Sequence, residues 1–147
     1  MKKLVGVTAL AALFAAGSAF AAGSTDLTVQ ANVLAACGFD QPNYLMDFQD
    51  LDPGTPINVT VTTTIGVICS LGVNYTVDDI SGAHAMAEVA GAGSLPYSIA
   101  AFTNTGIGNG ALQTIDLDGT VLATDYDFAS GTAPGAYQDV LVININP

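Results

Sequence analysis

The chain has 147 residues, half of them hydrophobic, with thirteen acidic side chains against two basic ones. Both basic residues, Lys2 and Lys3, sit at the extreme N-terminus, so the rest of the chain carries no Lys and no Arg. A surface of that sign repels phosphate backbones and anionic headgroups, which excludes nucleic-acid binding and simple adsorption to acidic membranes.

Taken in chain order, Met1, Lys2 and Lys3 form a basic start, and Leu4 to Ala16 is an uncharged apolar run. Ser18-Ala19-Phe20-Ala21 then places small residues at the two positions a signal peptidase reads, which predicts a secretory leader over 1–21 with cleavage before Ala22. The apolar run reaches only about 20 Å as a helix, too short for a hydrocarbon core of about 30 Å. Export to an oxidising compartment follows. The only two cysteines, Cys37 and Cys69, are then expected to pair as a disulfide, worth roughly 3–4 kcal/mol for a loop of this length. A two-cysteine metal site is the alternative, but the one histidine, His84, has no ligand-like spacing to either.

Beyond the leader no run shows sustained helical periodicity. Short stretches rich in Val, Ile, Thr and Tyr alternate with Gly, Pro, Asn and Asp clusters, which predicts one all-β domain, a sandwich or barrel. Leu27, Val29, Ala31 and Val33 alternate with polar residues as a period-2 strand. Tyr44 to Phe48 reads as a short strand ending at the Asp50 to Gly54 turn. Ile57, Val59, Val61, Thr63 and Ile65 alternate again, and Gly66 suggests a bulge before Val67 to Cys69. Val73, Tyr75 and Val77 follow a tight Ser70-Leu71-Gly72 link, as if antiparallel to the preceding run. The small-residue stretch 82–93 suits a loop or a weak edge strand. Leu95 to Phe102 and Ala111 to Leu117 read as strands, and Asp118-Gly119 as a turn leading into Val121 to Phe128. The last run, Tyr137 to Ile145, puts Tyr137, Leu141, Ile143 and Ile145 on one face and Val140 and Val142 on the other.

Catalytic chemistry finds little to work with. A Ser–His84–Asp triad has no nucleophile-elbow setting, and no Asp is followed by the Ser/Thr-Gly of a paired-aspartate protease. No enzyme, no cofactor and no metal site is therefore expected. The clusters Asp47, Asp50 and Asp52, Asp116 and Asp118, and Asp125 and Asp127 offer hard oxygens for calcium, but lack a calcium-loop pattern and suit turn-forming residues. Asn58-Val59-Thr60 and Asn74-Tyr75-Thr76 match a glycosylation acceptor pattern within expected strands.

The alternating segment after the leader is of a different kind. Ala35 to Gly38 leads away from it without a turn back, so its apolar face must be buried either in its own sheet or in another molecule by strand addition.

Read in order, these landmarks resemble the spore coat protein U domain family, which includes the major subunits of archaic, Csu-type chaperone–usher pili. The resemblance rests on the alternating run into Cys37, Met46-Asp47-Phe48, and the Thr/Val-rich run 62–69 into the second cysteine. It continues through Asn74-Tyr75-Thr76-Val77, Leu95-Pro96-Tyr97 and Gly135-Ala136-Tyr137-Gln138-Asp139 ahead of the alternating end. It implies an incomplete immunoglobulin-like β-sandwich over 37–147 and a donor-strand segment over 22–36. Leu27, Val29, Ala31 and Val33 would be the donor side chains, and Leu141, Ile143 and Ile145 would line the acceptor groove. The implied partners are identical subunits head-to-tail in a filament, with a periplasmic chaperone and an outer-membrane usher during assembly, and the implied location is a cell-surface pilus serving adhesion or biofilm formation. The chain departs from the family in having no Trp after the Leu-Pro-Tyr run, only Gly106 to Gly110. The rival readings are a monomeric secreted carbohydrate-binding β-sandwich using exposed Asp and Tyr residues, and a secreted hydrolase.

Overall fold

The computed structural model describes residues 24–147, so the expected leader over 1–21 lies outside the described residues. The chain divides into two units, 1–32 and 33–147. In the first, residues 24–32 are exposed and belong to no strand.

The second unit is all-β, with two antiparallel sheets consistent with a β-sandwich. Its strands are β1 (Cys37–Phe39), β2 (Val59–Cys69), β3 (Asn74–Val77), β4 (Gly82–Glu88), β5 (Ser94–Ile99), β6 (Thr105–Ile107), β7 (Leu112–Val121), β8 (Tyr137–Gln138) and β9 (Ile145–Asn146). The large sheet has the order β1-β2-β7-β5-β4-β8, and the small one β6-β3-β9. The β2–β7 ladder runs unbroken from Val59↔Val121 to Ile68↔Leu112 and forms the spine of the large sheet. Along β7, Ile115, Leu117 and Val121 face inward, while Asp116 and Asp118 face solvent. There the two carboxylates accept hydrogen bonds from Thr64 (2.6 Å) and Thr62 (2.5 Å) across the ladder. The disulfide joins Cys37 to Cys69, which face each other in the β1–β2 register.

Four expectations are corrected. Gly66 makes no bulge, because its register with Thr114 is one to one. A Cβ there would collide with the Asp40 carboxylate, so the glycine admits a neighbour while the ladder stays unbroken. Asp118-Gly119 makes no turn but lies inside β7, and a Cβ on Gly119 would meet Met46 Sδ at 2.1 Å and the Phe48 ring at 3.0 Å. Val121 to Phe128 is accordingly no strand, and a short 3₁₀ turn occupies Ala123–Asp125. Finally, Ser70 to Gly72 is no hairpin. Both edges of β2 are taken by β1 and β7, so the link carries the chain to the small sheet, with Gly72 at φ 77° and its N–H on Gly108. Of the stretch 82–93, the first part is β4, a strand between β5 and β8, and 89–93 is the loop that leads to β5.

The buried side chains form two clusters. Ile65, Val67, Cys69, Tyr75, Val77, Ile115 and Leu117 make the first, and Phe48, Leu95, Tyr97, Ile99, Val121 and Tyr126 the second. Met46 and Ile80 pack against both. Gly119→Val is expected to cost about 1–3 kcal/mol through overpacking against Met46 and Phe48. Gly38→Ala, which meets nothing within 4 Å, is expected to change stability by less than about 0.5 kcal/mol. Urea unfolding of the two variants beside wild type checks the contrast.

Candidate functional site: an open groove between two unpaired segments

A groove of about 1190 Å³ lies in the second unit, over the inner face of the large sheet. Its floor is apolar, with Ile65 from β2, Leu117 from β7, Leu95 and Ile99 from β5, and Met86 from β4. Its two walls come from segments that belong to neither sheet.

One wall is residues 44–48, extended and alternating, with Tyr44 and Met46 half-buried, Phe48 buried, and Leu45 and Asp47 exposed. The Tyr44 hydroxyl anchors it by accepting the Gly66 N–H (3.1 Å) and donating to Asp40. Beyond the Asp52 turn, the Tyr126 hydroxyl accepts from Ile57 N–H (2.8 Å) and donates to the Ile57 carbonyl (2.6 Å). The opposite wall is 139–143, where Leu141 and Ile143 are half-buried and Val140 and Val142 are exposed. It is tied down at its ends. Tyr137 and Gln138 pair with β4, and Ile145 and Asn146 pair with β3. Tyr97, rising from the floor, donates to the Asp139 carboxylate at 2.7 Å.

The decisive feature is the backbone. No backbone–backbone hydrogen bond joins residues 41–51 or 139–143 to any described residue. Two chains thus flank an apolar floor without a ladder partner, although segments of this kind ordinarily complete a ladder; the backbone bonds they make go to side chains, as from the Thr63 hydroxyl to the Leu45 carbonyl (3.1 Å).

Leu141 and Ile143 are among the residues that line this groove, whereas Ile145 is not, being paired with Val77 and packed on the first cluster. Leu27, Val29 and Val33 are exposed (86, 83 and 88%), as is Ala31. The wall residues Tyr44, Met46 and Phe48 were readable as an alternating strand; nothing local marked them as lacking a strand partner. His84 stacks on Tyr97 with ring centroids 5.2 Å apart, and its Nε2 bonds the Ile80 carbonyl at 2.9 Å, so its place is against the core. The aspartates satisfy local groups. Asp52 takes the Gly54 N–H and the Thr55 hydroxyl, which hold its carboxyl below the usual range, and Asp127 takes the Ala129 N–H. Among the described residues no three His, Cys, Asp or Glu side chains gather to hold a metal ion.

Burial, and then the adjacent Asp139 carboxylate, push the Tyr97 hydroxyl well above the ordinary tyrosine range. The folded chain therefore holds this proton more tightly than the unfolded one. The associated stability is complete below a pH of about 10 and is lost as the pH rises beyond it. Between pH of about 9 and 12, denaturation midpoints of wild type should fall more steeply than those of Tyr97→Phe. At neutral pH the variant should be less stable by about 1 kcal/mol, the worth of one hydrogen bond. Parallel alkaline slopes would remove Tyr97 from the account.

No family model matches the chain, and no curated protein or solved structure matches it.

Proposed function

We propose that the chain is a structural subunit of a secreted surface fibre, a pilus, that polymerises by donor-strand exchange and serves adhesion or biofilm formation. In this reading the sandwich is an incomplete immunoglobulin-like fold of the spore coat protein U type. The observation that carries it is the groove whose two walls have no ladder partner. A β-strand laid between 44–48 and 139–143 would satisfy both edges at once and cover the floor.

The chain supplies a segment of the right kind. Leu27, Val29, Ala31 and Val33 repeat every second residue, so a strand places all four on the groove floor while Thr28, Gln30 and Asn32 face out. Burial of Leu27, Val29 and Val33 contributes about 1.5–3 kcal/mol each. Ala31 asks only for a shallow site. A subunit that gives its segment to one neighbour and receives another's makes a heterologous contact that does not close, and such contacts grow filaments. Before polymerisation the groove needs a temporary occupant, the role of a periplasmic chaperone, with release at an outer-membrane usher. Removal of the leader before Ala22 leaves the donor segment close to a new N-terminus.

Val29→Asp puts a charge where the floor is apolar. The variant is expected to abolish fibres, seen by negative-stain microscopy of the cell surface, while chaperone-bound subunit remains soluble at the wild-type level. Normal fibres from Val29→Asp would refute the donor assignment. A wild-type chain that is a stable monomer with residues 27–33 paired in its own sheet would favour the carbohydrate-binding sandwich instead.

A further inference from the structure

We infer that the two ends of the sandwich unit form a second, apolar contact between successive copies of this chain, apart from the donor strand itself. The inference rests on the donor-strand reading and adds a surface and its partner to it.

The two ends are defined by the β2–β7 ladder, about 30 Å long at strand rise. At the disulfide end Ile68 and Leu112 form an exposed cross-strand pair (45 and 53%). Leu71 (80%) and Ile107 (60%) are exposed beside them, where Gly72 N–H bonds Gly108 carbonyl and Gly110 N–H bonds Cys69 carbonyl. At the opposite end Leu122 (46%) and Phe128 (83%) are exposed, with the Phe128 ring beside Gly54. Apolar side chains exposed this far, clustered at both ends, call for a cover.

Chain length says what covers them. Only Leu34, Ala35 and Ala36 separate the last donor residue, Val33, from Cys37, which is fixed in β1 by the disulfide. Those peptide units span at most about 14 Å when fully extended. A copy holding Val33 in its groove must therefore sit directly against the giver's disulfide end. Residues 137–145 run toward the disulfide end of their own unit. A donor antiparallel to them leaves the acceptor at its opposite end, so Leu71 and Ile107 of the giver meet Leu122 and Phe128 of the acceptor. The reverse direction would force every disulfide end to touch those of both neighbours, which one small surface does not accommodate.

Charge supports the same pairing. All thirteen acidic residues lie outside 27–39, 67–77 and 105–113, the stretches that make up the donor, its tether and the disulfide end. The opposite end carries Asp52, Asp125 and Asp127 around Phe128. With no Lys or Arg beyond residue 3 to offset them, two acidic ends would repel, whereas an uncharged end can approach an acidic one.

The test uses the full chain assembled on cells with its secretion partners. Fibres from a chain carrying both Leu71→Cys and Phe128→Cys, treated with a short bismaleimide, should give a ladder of covalent oligomers on denaturing gels, and neither single cysteine should. Fibres of Leu71→Asp and of Phe128→Asp should still form but dissociate at lower temperature than wild type, with the double variant no worse than the weaker single one. Absence of a ladder, with dissociation temperatures unchanged, would overturn the end-to-end contact while leaving the donor strand in place. Loss of the donor reading itself would show separately, as normal fibres from Val29→Asp.

Discussion

The structure turns on an unmet backbone requirement. Residues 44–48 and 139–143 flank an apolar floor, and neither has a ladder partner. Peptide groups beside an apolar surface are satisfied by water only while the groove stays open, and an open groove leaves the floor wet. Filling it with a strand removes both costs together. An apolar small molecule or a helix would cover the floor but leave the edges unpaired.

That requirement also explains the divided core. The first cluster is built on β2, β3 and β7 near the disulfide, and the second on β5, the end of β7 and Tyr126. Met46 and Ile80 bridge them, and both line the groove. A continuous core needs apolar side chains along the groove, which is where an inserted Leu-Val-Ala-Val face would lie. Meanwhile the walls are held in place by tyrosines. Tyr44 fixes one wall to Gly66, and Tyr97 on β5 fixes the start of the other by donating to Asp139. With no Lys or Arg outside the first three residues, phenol hydrogen bonds and the Cys37–Cys69 bridge hold positions that ion pairs hold elsewhere. In the proposed fibre the disulfide would also fix the point from which the donor segment leaves, so a bond that stabilises the fold would set the spacing between copies as well.

Much of this was legible in the residues. The all-β class, the cysteine pair and the inward set Leu141 and Ile143 follow from alternation and compartment, because a strand's two-residue period survives whatever it pairs with. The failures share a cause. Gly66 and Gly119 read as a bulge and a turn because glycine permits both, yet each is there to admit a side chain from a distant segment, Asp40 in one case and Met46 with Phe48 in the other. The Ser70 to Gly72 link reads as a hairpin because its length suits one, but β2 has no free edge left to accept β3. β4 was obscured by its alanines and glycines, whose place in the sheet comes from β5 and β8 on either side. The groove could not be read locally at all, since an alternating segment looks the same whether or not its edge is paired.

The central claim, that 44–48 and 139–143 are vacant edges awaiting one strand, is tested most directly by amide hydrogen exchange on the full chain. Exchange would be followed residue by residue with and without a peptide spanning residues 24–36. The account predicts that amides of both walls exchange freely in the chain alone and become protected together, at one stoichiometric equivalent, when the peptide is added. Walls that are already protected in the chain alone, or that do not respond to the peptide, would contradict it.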